Sequence, residues 1–263
     1  MNQMFAFCFE LDSVGHITPW GVGDDRKLHW FGLTSGRYWI ATPVGEALRY
    51  SESACRRWNL TSPYVDYQVA KFFEDLQHQL PYALERVPAD MAAMASDHGW
   101  YRMAKMWKDA NPEKRSDIWL NGLEWWHQRG FGTAYLVGGP FFYVWRVEDR
   151  IFFRWEPKTS GGEQIWLAPR GEFALPVSEF ETACNTFFKE FIRQMQDRVD
   201  RINSAGWNRS DCFLDLELLT LEQGIRRELL SGLEGRKPNT DWTSARTRFK
   251  ELCLCIADQK PEA

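Results

Sequence analysis

The stretch from Val177 to Ile202 constrains this chain more than any other. Val177, Phe180, Cys184, Phe187, Phe188, Phe191, Met195, Val199 and Ile202 recur at helical spacing. That spacing puts one broad apolar stripe on one face of a long helix, expected over 178–204. Ser178 with Glu181 has the spacing of a capping box, and Gly206 supplies a stop. The segments just before it, 133–139, 141–147, 150–157, 164–169 and 171–176, are short, aromatic and β-branched. They read as an antiparallel meander of four or five strands, with Glu148-Asp149 and Lys158–Glu163 as turns. Neither a one-faced helix nor a one-faced sheet can bury its apolar side alone, so the two are expected to pack together.

The rest of the chain extends the same pattern. Residues 4–11 read as a strand and 12–27 as a loop. Apolar residues on both sides of Thr34-Ser35-Gly36 predict a hairpin of 28–33 with 37–42, then a short strand at 47–50. Val65, Val69, Phe72, Phe73, Leu76 and Leu80 predict a helix over 64–80, with Ser62 as its cap. Helical pieces are expected at 88–95, 100–110 and 113–129. Near the end, Leu214, Leu218, Leu221, Ile225, Leu229 and Leu233 form one stripe. Trp242, Ala245, Phe249, Leu252 and Ile256 form another, capped by Thr240. The fold class is therefore α+β: antiparallel meander units on long amphipathic helices, with a helical C-terminal region. Residues 1–206 read as one α+β domain. It divides into two ββα-type halves, 1–87 and 131–206, joined by helices in 88–130. Residues 207–263 form a helical region on the same core.

Local catalytic signatures are missing from the sequence. The five histidines, His16, His29, His78, His98 and His127, never stand three or four apart, so no zinc-type pair occurs, and no metal or cofactor is expected. There is no G-x-S-x-G elbow and no glycine loop between a strand and a helix. The six cysteines are irregularly spaced and read as buried thiols. The first ten residues lack a basic segment and reach Glu10 early, so no secretory leader is expected, and the cytoplasm is the compartment that fits. No membrane association is expected. A net charge of −4 argues against a nucleic-acid partner. Arg193, Arg198, Arg201 and Arg209 are the loose candidates for a basic stripe, and acids interrupt them.

The unusual number is 14 tryptophans, alongside 18 phenylalanines and 8 tyrosines. Most fall at core-type positions. Trp20, Trp30 and Trp126 are the rings placed where a partner could meet them, with Asp24, Asp25, Glu148 and Asp149 as turn acids that would form a rim. Asp24, Asp25 and His29 could alternatively build a dispersed acid–base site of a hydrolase.

The stretches LHWFGLTSGRYWI, RGEFALPVSEF and NTDWTSARTRF resemble an uncharacterised family of bacterial proteins. Small soluble families of this kind include immunity proteins of polymorphic toxin systems. The resemblance implies a protein that does no catalysis and neutralises a cognate toxin by occluding it. It implies no catalytic residues. The expected function is thus protein binding, with a toxin or effector domain as partner.

Overall fold

The computed structural model describes residues 4–95, 97–111, 115–157, 164–231, 238 and 240–257. In chain order the strands and helices are β1 (Ala6–Leu11), β2 (Lys27–Leu28), β3 (Ser35–Thr42), β4 (Gly45–Ala47), α1 (Glu52–Trp58), β5 (Val65–Gln68), α2 (Val69–Leu84), α3 (Ala89–Ala95), α4 (His98–Ala110), α5 (Arg115–His127), β6 (Gly130–Gly132), β7 (Phe141–Val147), β8 (Arg150–Glu156), β9 (Gly171–Pro176), α6 (Val177–Ala205), β10 (Phe213–Leu214), α7 (Leu216–Ser231) and α8 (Trp242–Ala257). The class is α+β, as the sequence patterning predicts.

Two antiparallel sheets carry the core. In the first, β3 is central. β1 pairs along one side of it, while β4 and then β5 share the other. In the second, β6, β7, β8 and β9 form a simple meander. α6 packs on β1, β8 and β9, and α2 lies against β3, β6 and β7. Phe7, Phe72, Phe153, Phe180 and Phe187 meet between these layers, with ring centroids 5.5–6.4 Å apart. One continuous core therefore draws residues from both halves of the chain, from Phe5 to Leu219. A second apolar cluster, built on Trp107, Trp119, Trp125, Trp126, Trp145 and Phe249, joins α4, α5 and α8 to the outer face of β7.

The structure departs from the sequence reading in several places. Residues 28–33 do not pair with 37–42. β3 begins at Ser35 and pairs with β1 and β5, while Gly32–Thr34 is a 3₁₀ turn. Gly36 explains part of this: a Cβ there would stand 2.2 Å from the Glu10 carbonyl oxygen, so the close approach to β1 needs glycine. Segments 133–139 and 164–169 are turns rather than strands; the latter contributes only an isolated bridge from Trp166 to Tyr50. α2 begins at Val69, after a strand, and runs through Pro81, with Gln68 at its N-cap. α6 starts after Pro176 with no side-chain cap, so Ser178 and Glu181 do not form the capping box. Asp241, not Thr240, caps α8: its Oδ1 accepts from the N–H groups of Thr243 and Ser244, both at 3.1 Å. The predicted turn at Lys158–Glu163 lies outside the described residues.

Candidate functional site

The clearest surface feature arises where the N-terminal loop meets the C-terminal helices. β2 and β10 pair in parallel, and Trp20 bridges Lys27 in antiparallel fashion. Trp20 and Lys27 exchange backbone hydrogen bonds of 2.9 and 2.8 Å, and the Phe213 N–H donates to the Arg26 carbonyl. In this register Trp20, Lys27 and Phe213 stand side by side on one face, while Leu28 and Leu214 are buried on the other. Trp20 is 45% exposed and Phe213 65%. The Trp20 ring stands edge-on to His29, 4.5 Å between centroids, and His29 feels the charges of Glu222 and Arg226 on α7. The ladder is thereby joined to that helix.

α7 itself is turned opposite to the sequence reading. Leu218, Leu221, Ile225 and Leu229 were expected to face inward; they are 40–59% exposed. Leu219 and Gln223 are buried instead. The reason is a polar handle. The Trp30 indole N–H donates to Gln223 Oε1 at 2.8 Å, and Gln223 Nε2 donates to the Ile192 carbonyl at 3.2 Å. The Arg226 guanidinium lies over the Trp30 ring, 3.8 Å from its centroid, and pairs with Glu74 and Glu222. A buried amide with both ends satisfied fixes the rotation of the helix, because turning it would orphan those groups. The helix thus carries two apolar faces, and the longer leucine ladder is the outer one. The signal was present in the sequence as a second apolar series, Leu216, Leu219 and Leu230, interrupted by Gln223. Leu233 lies outside the described residues.

The seven residues singled out from the sequence separate into three groups. Trp20, Asp24 and Asp25 are exposed and belong to the ladder surface, with both acids in a 3₁₀ turn just before β2. Trp30 and Trp126 are buried and offer no ring surface to a partner. Trp126 stacks on Tyr143 at 4.6 Å and fills the space between α5 and β7. Glu148 and Asp149 are exposed at the β7–β8 turn. That turn sits at the N-terminus of α6, where the Val177 N–H donates to the Asp149 carbonyl. α7 instead meets α6 at Ile192, about 22 Å along the helix at 1.5 Å per residue. Glu148 also pairs with Arg86. The turn acids therefore do not rim the ladder surface.

Nor does the structure assemble Asp24, Asp25 and His29. The charges acting on His29 are Glu222, Lys27 and Arg226, and burial, the largest influence, lowers its pKa. The four arginines considered for nucleic acid are spent on the protein's own backbone and acids. Arg193, Arg198 and Arg201 line a cleft of about 630 Å³ between residues 11–14 and the C-terminal half of α6. Arg193 pairs with Asp197 at 2.6 Å, Arg201 Nε donates to the Asp197 carbonyl, and Arg198 donates to the carbonyls of Leu33 and Asp12. Burial pulls the Arg198 guanidinium down to about 10. Arg209 binds the carbonyls of Val14 and Ile17 and the carboxylate of Asp211. Arg198 thereby ties the first loop to α6, Arg209 ties it to the segment that follows, and Arg193 and Arg201 bond within α6 itself.

A half-buried chain of groups also joins α2 to the loop before β7. Tyr38 and Tyr135 share a hydroxyl hydrogen bond of 3.2 Å, Tyr135 reaches Asp75, and Asp75 pairs with Lys71. Burial raises both tyrosine hydroxyls and the Asp75 carboxyl, so no group here is tuned toward a nucleophile. Among the described residues no three His, Cys, Asp or Glu side chains converge as a metal set, and no helix is long and apolar enough to cross a membrane.

The model of DUF5984, a family of unknown function, matches residues 6–248. The chain belongs to this family. No curated protein and no solved structure matches it. In this DUF5984 chain the match spans both sheets, the ladder surface and all of α7, so every element described above except the end of α8 lies within it.

One titratable group marks the tryptophan cluster. His127, at the end of α5, rests on the Trp119 ring at 4.8 Å. Burial, aided by Lys108, lowers its pKa to about 4. The folded state therefore binds this proton less readily than the unfolded chain, whose histidine titrates near 6.5. Its penalty is absent above pH 6.5 and grows as pH falls toward 4, reaching about 3 kcal/mol at 1.36 kcal/mol per unit. His127→Gln is expected to flatten the fall in unfolding free energy between pH 6.5 and 4, measured by urea denaturation at each pH. An unchanged slope would show that other groups carry the acid sensitivity.

Proposed function

We propose that this chain is a non-enzymatic binding protein that docks a protein partner on the β2–β10 ladder and the outer face of α7. One observation supports this most: four large apolar side chains stand in register along the solvent face of α7, beside exposed Trp20 and Phe213. Single exposed leucines are common on any protein, whereas a continuous apolar row three turns long marks an interaction surface. Trp20 and Phe213 are of the ring type that anchors interfaces. In its finer form the proposal makes the partner a toxin domain, silenced by being covered, as in immunity proteins. The resemblance noted in the sequence and the mildly acidic charge support that form.

The test is co-expression with the product of the adjacent gene, followed by size-exclusion chromatography and a growth assay. The wild-type chain is expected to form a complex and to restore growth. Leu221→Asp/Ile225→Asp changes two exposed positions, so it is expected to shift unfolding free energy by no more than about 1 kcal/mol while abolishing the complex. A complex that the double variant leaves intact removes the docking surface from consideration.

A further inference from the structure

We propose that His29 is an acid-sensitive latch of the docking surface: a proton on its ring opens the β2–β10 ladder and withdraws Trp20 and Phe213 from a partner. The inference rests on the docking reading above and adds the regulation of that site. The local geometry sets which nitrogen of the neutral ring is bare. His29 Nδ1 accepts the Gly32 N–H at 3.3 Å, so the neutral ring carries its proton on Nε2. Gly32 is buried in the 3₁₀ turn, and among the described residues its N–H makes no other hydrogen bond. A proton on Nδ1 turns the acceptor into a donor facing a donor. Turning the ring over sets a carbon against the same N–H. Either response leaves a buried N–H unpaired, which is costly.

The same ring supports Trp20. Trp20 stands edge-on to it at 4.5 Å and to Phe31 at 6.1 Å, and the Phe31 and His29 centroids are 6.5 Å apart. Lys27, whose backbone bonds hold Trp20, precedes His29 by only one intervening residue, Leu28. A displaced ring therefore acts on the ladder through both side chain and backbone. Charge works in the same direction. Lys27 on β2 and Arg226 on α7 oppose a further positive charge, while Glu222 on α7 favours it. Glu222 is itself paired with Arg226, which also pairs with Glu74 on α2. Burial outweighs these charges and lowers the pKa of the ring from 6.5. The closed ladder thus binds the proton less readily than an opened one, whose histidine titrates near the ordinary value. Closure is fully favoured above pH 6.5 and loses ground as pH falls below it.

Amide hydrogen exchange of the full chain, expressed as protection relative to an unfolded peptide at the same pH, tests the latch without a partner. The Trp20, Lys27 and Phe213 amides are expected to lose protection about fivefold or more between about pH 7.5 and about pH 5, while those of β3 keep theirs. His29→Asn keeps an acceptor three residues before the Gly32 N–H but does not titrate, and it is expected to remove this pH dependence. His29→Leu removes the acceptor at every pH, so its ladder should be as open at about pH 7.5 as the wild type's at about pH 5. Constant protection in the wild type, or an equal loss in His29→Asn, would overturn the inference. Affinity for the natural partner should fall in parallel in the wild type and hold in His29→Asn. A complex indifferent to the opening of the ladder would overturn the latch's role in docking. The docking reading falls separately, by persistence of that complex in Leu221→Asp/Ile225→Asp at about pH 7.5.

Discussion

Glu85→Gln is expected to lower the unfolding free energy by about 3–5 kcal/mol, the usual cost of leaving a buried charge without its counter-ion. Arg129 is fully buried at the junction of α5 and β6. Its guanidinium pairs with Glu85, donates to the Trp125 carbonyl at 2.6 Å and lies 4.8 Å from the Trp242 ring centroid. Burial pulls its pKa down, and Glu85 is the group that holds the charge in place. The same carboxylate accepts from the Thr240 N–H at 3.0 Å and its hydroxyl at 2.5 Å. One acid thus ties α2, α5 and the start of α8 together. Urea denaturation followed by tryptophan fluorescence reads the loss, since Trp125 and Trp242 flank the site. Arg129→Met is expected to be costly alone, for Glu85 then loses its cation. Combining it with Glu85→Gln should destabilise by less than the sum of the two, because the buried charge goes with its partner. Strict additivity would mean that the pair does not act as a unit.

What the sequence disclosed follows from how local each signal is. α6 was legible almost to the residue, because a one-faced stripe of this length has only one inward side. The β7–β8 hairpin was legible from its two-residue turn, with Glu148 in the left-handed region at φ 53°. β3 was readable as a strand, but its partners were not. β1 and β5 are brought to it from outside the local window, and only the backbone approach at Gly36 records the pairing. The cap of α8 was misplaced by one residue because the Thr240 hydroxyl had a better long-range use. Thr240 is held by Glu85, so Asp241 takes the helix end. The candidate surface was half legible. Trp20, Asp24 and Asp25 were marked, while the leucine row of α7 was assigned to the core. Periodicity shows that a helix has an apolar stripe; it does not say which stripe wins when there are two. Gln223 decided that, through a hydrogen bond to a residue nearly two hundred positions earlier. Trp30 and Trp126 were read as possible contacts for the converse reason: a ring on a short segment gives no sign of the layer that will cover it.

Trp30 is therefore the residue on which the presentation of the α7 surface depends, and Trp30→Ala is expected to cost about 3–5 kcal/mol from lost packing alone. The ring has no exposed surface, meets Phe191 edge-on at 6.0 Å and lies under Arg226. Its removal also strips Gln223 Oε1 of its donor, and a buried acceptor left unpaired costs a further 1–3 kcal/mol or so. Trp30→Phe separates the two effects. It keeps an aromatic ring, loses the N–H, and is expected to cost about 1–3 kcal/mol. Adding Gln223→Leu should return much of that loss, since replacing both partners by apolar groups removes the unsatisfied acceptor. Hydrogen exchange locates the damage. In Trp30→Phe the amides of α7 should lose protection ahead of those of α6 and β3, as the helix is the part held by the broken bond. If the polar handle sets the rotation of α7, Trp30→Phe should also weaken the partner complex without touching an exposed residue, and Trp30→Phe/Gln223→Leu should recover stability more fully than binding. Uniform loss of protection across the chain, with affinity unchanged, would instead make Trp30 an ordinary core ring and leave the outward face of α7 to be held by Leu219 and its neighbours.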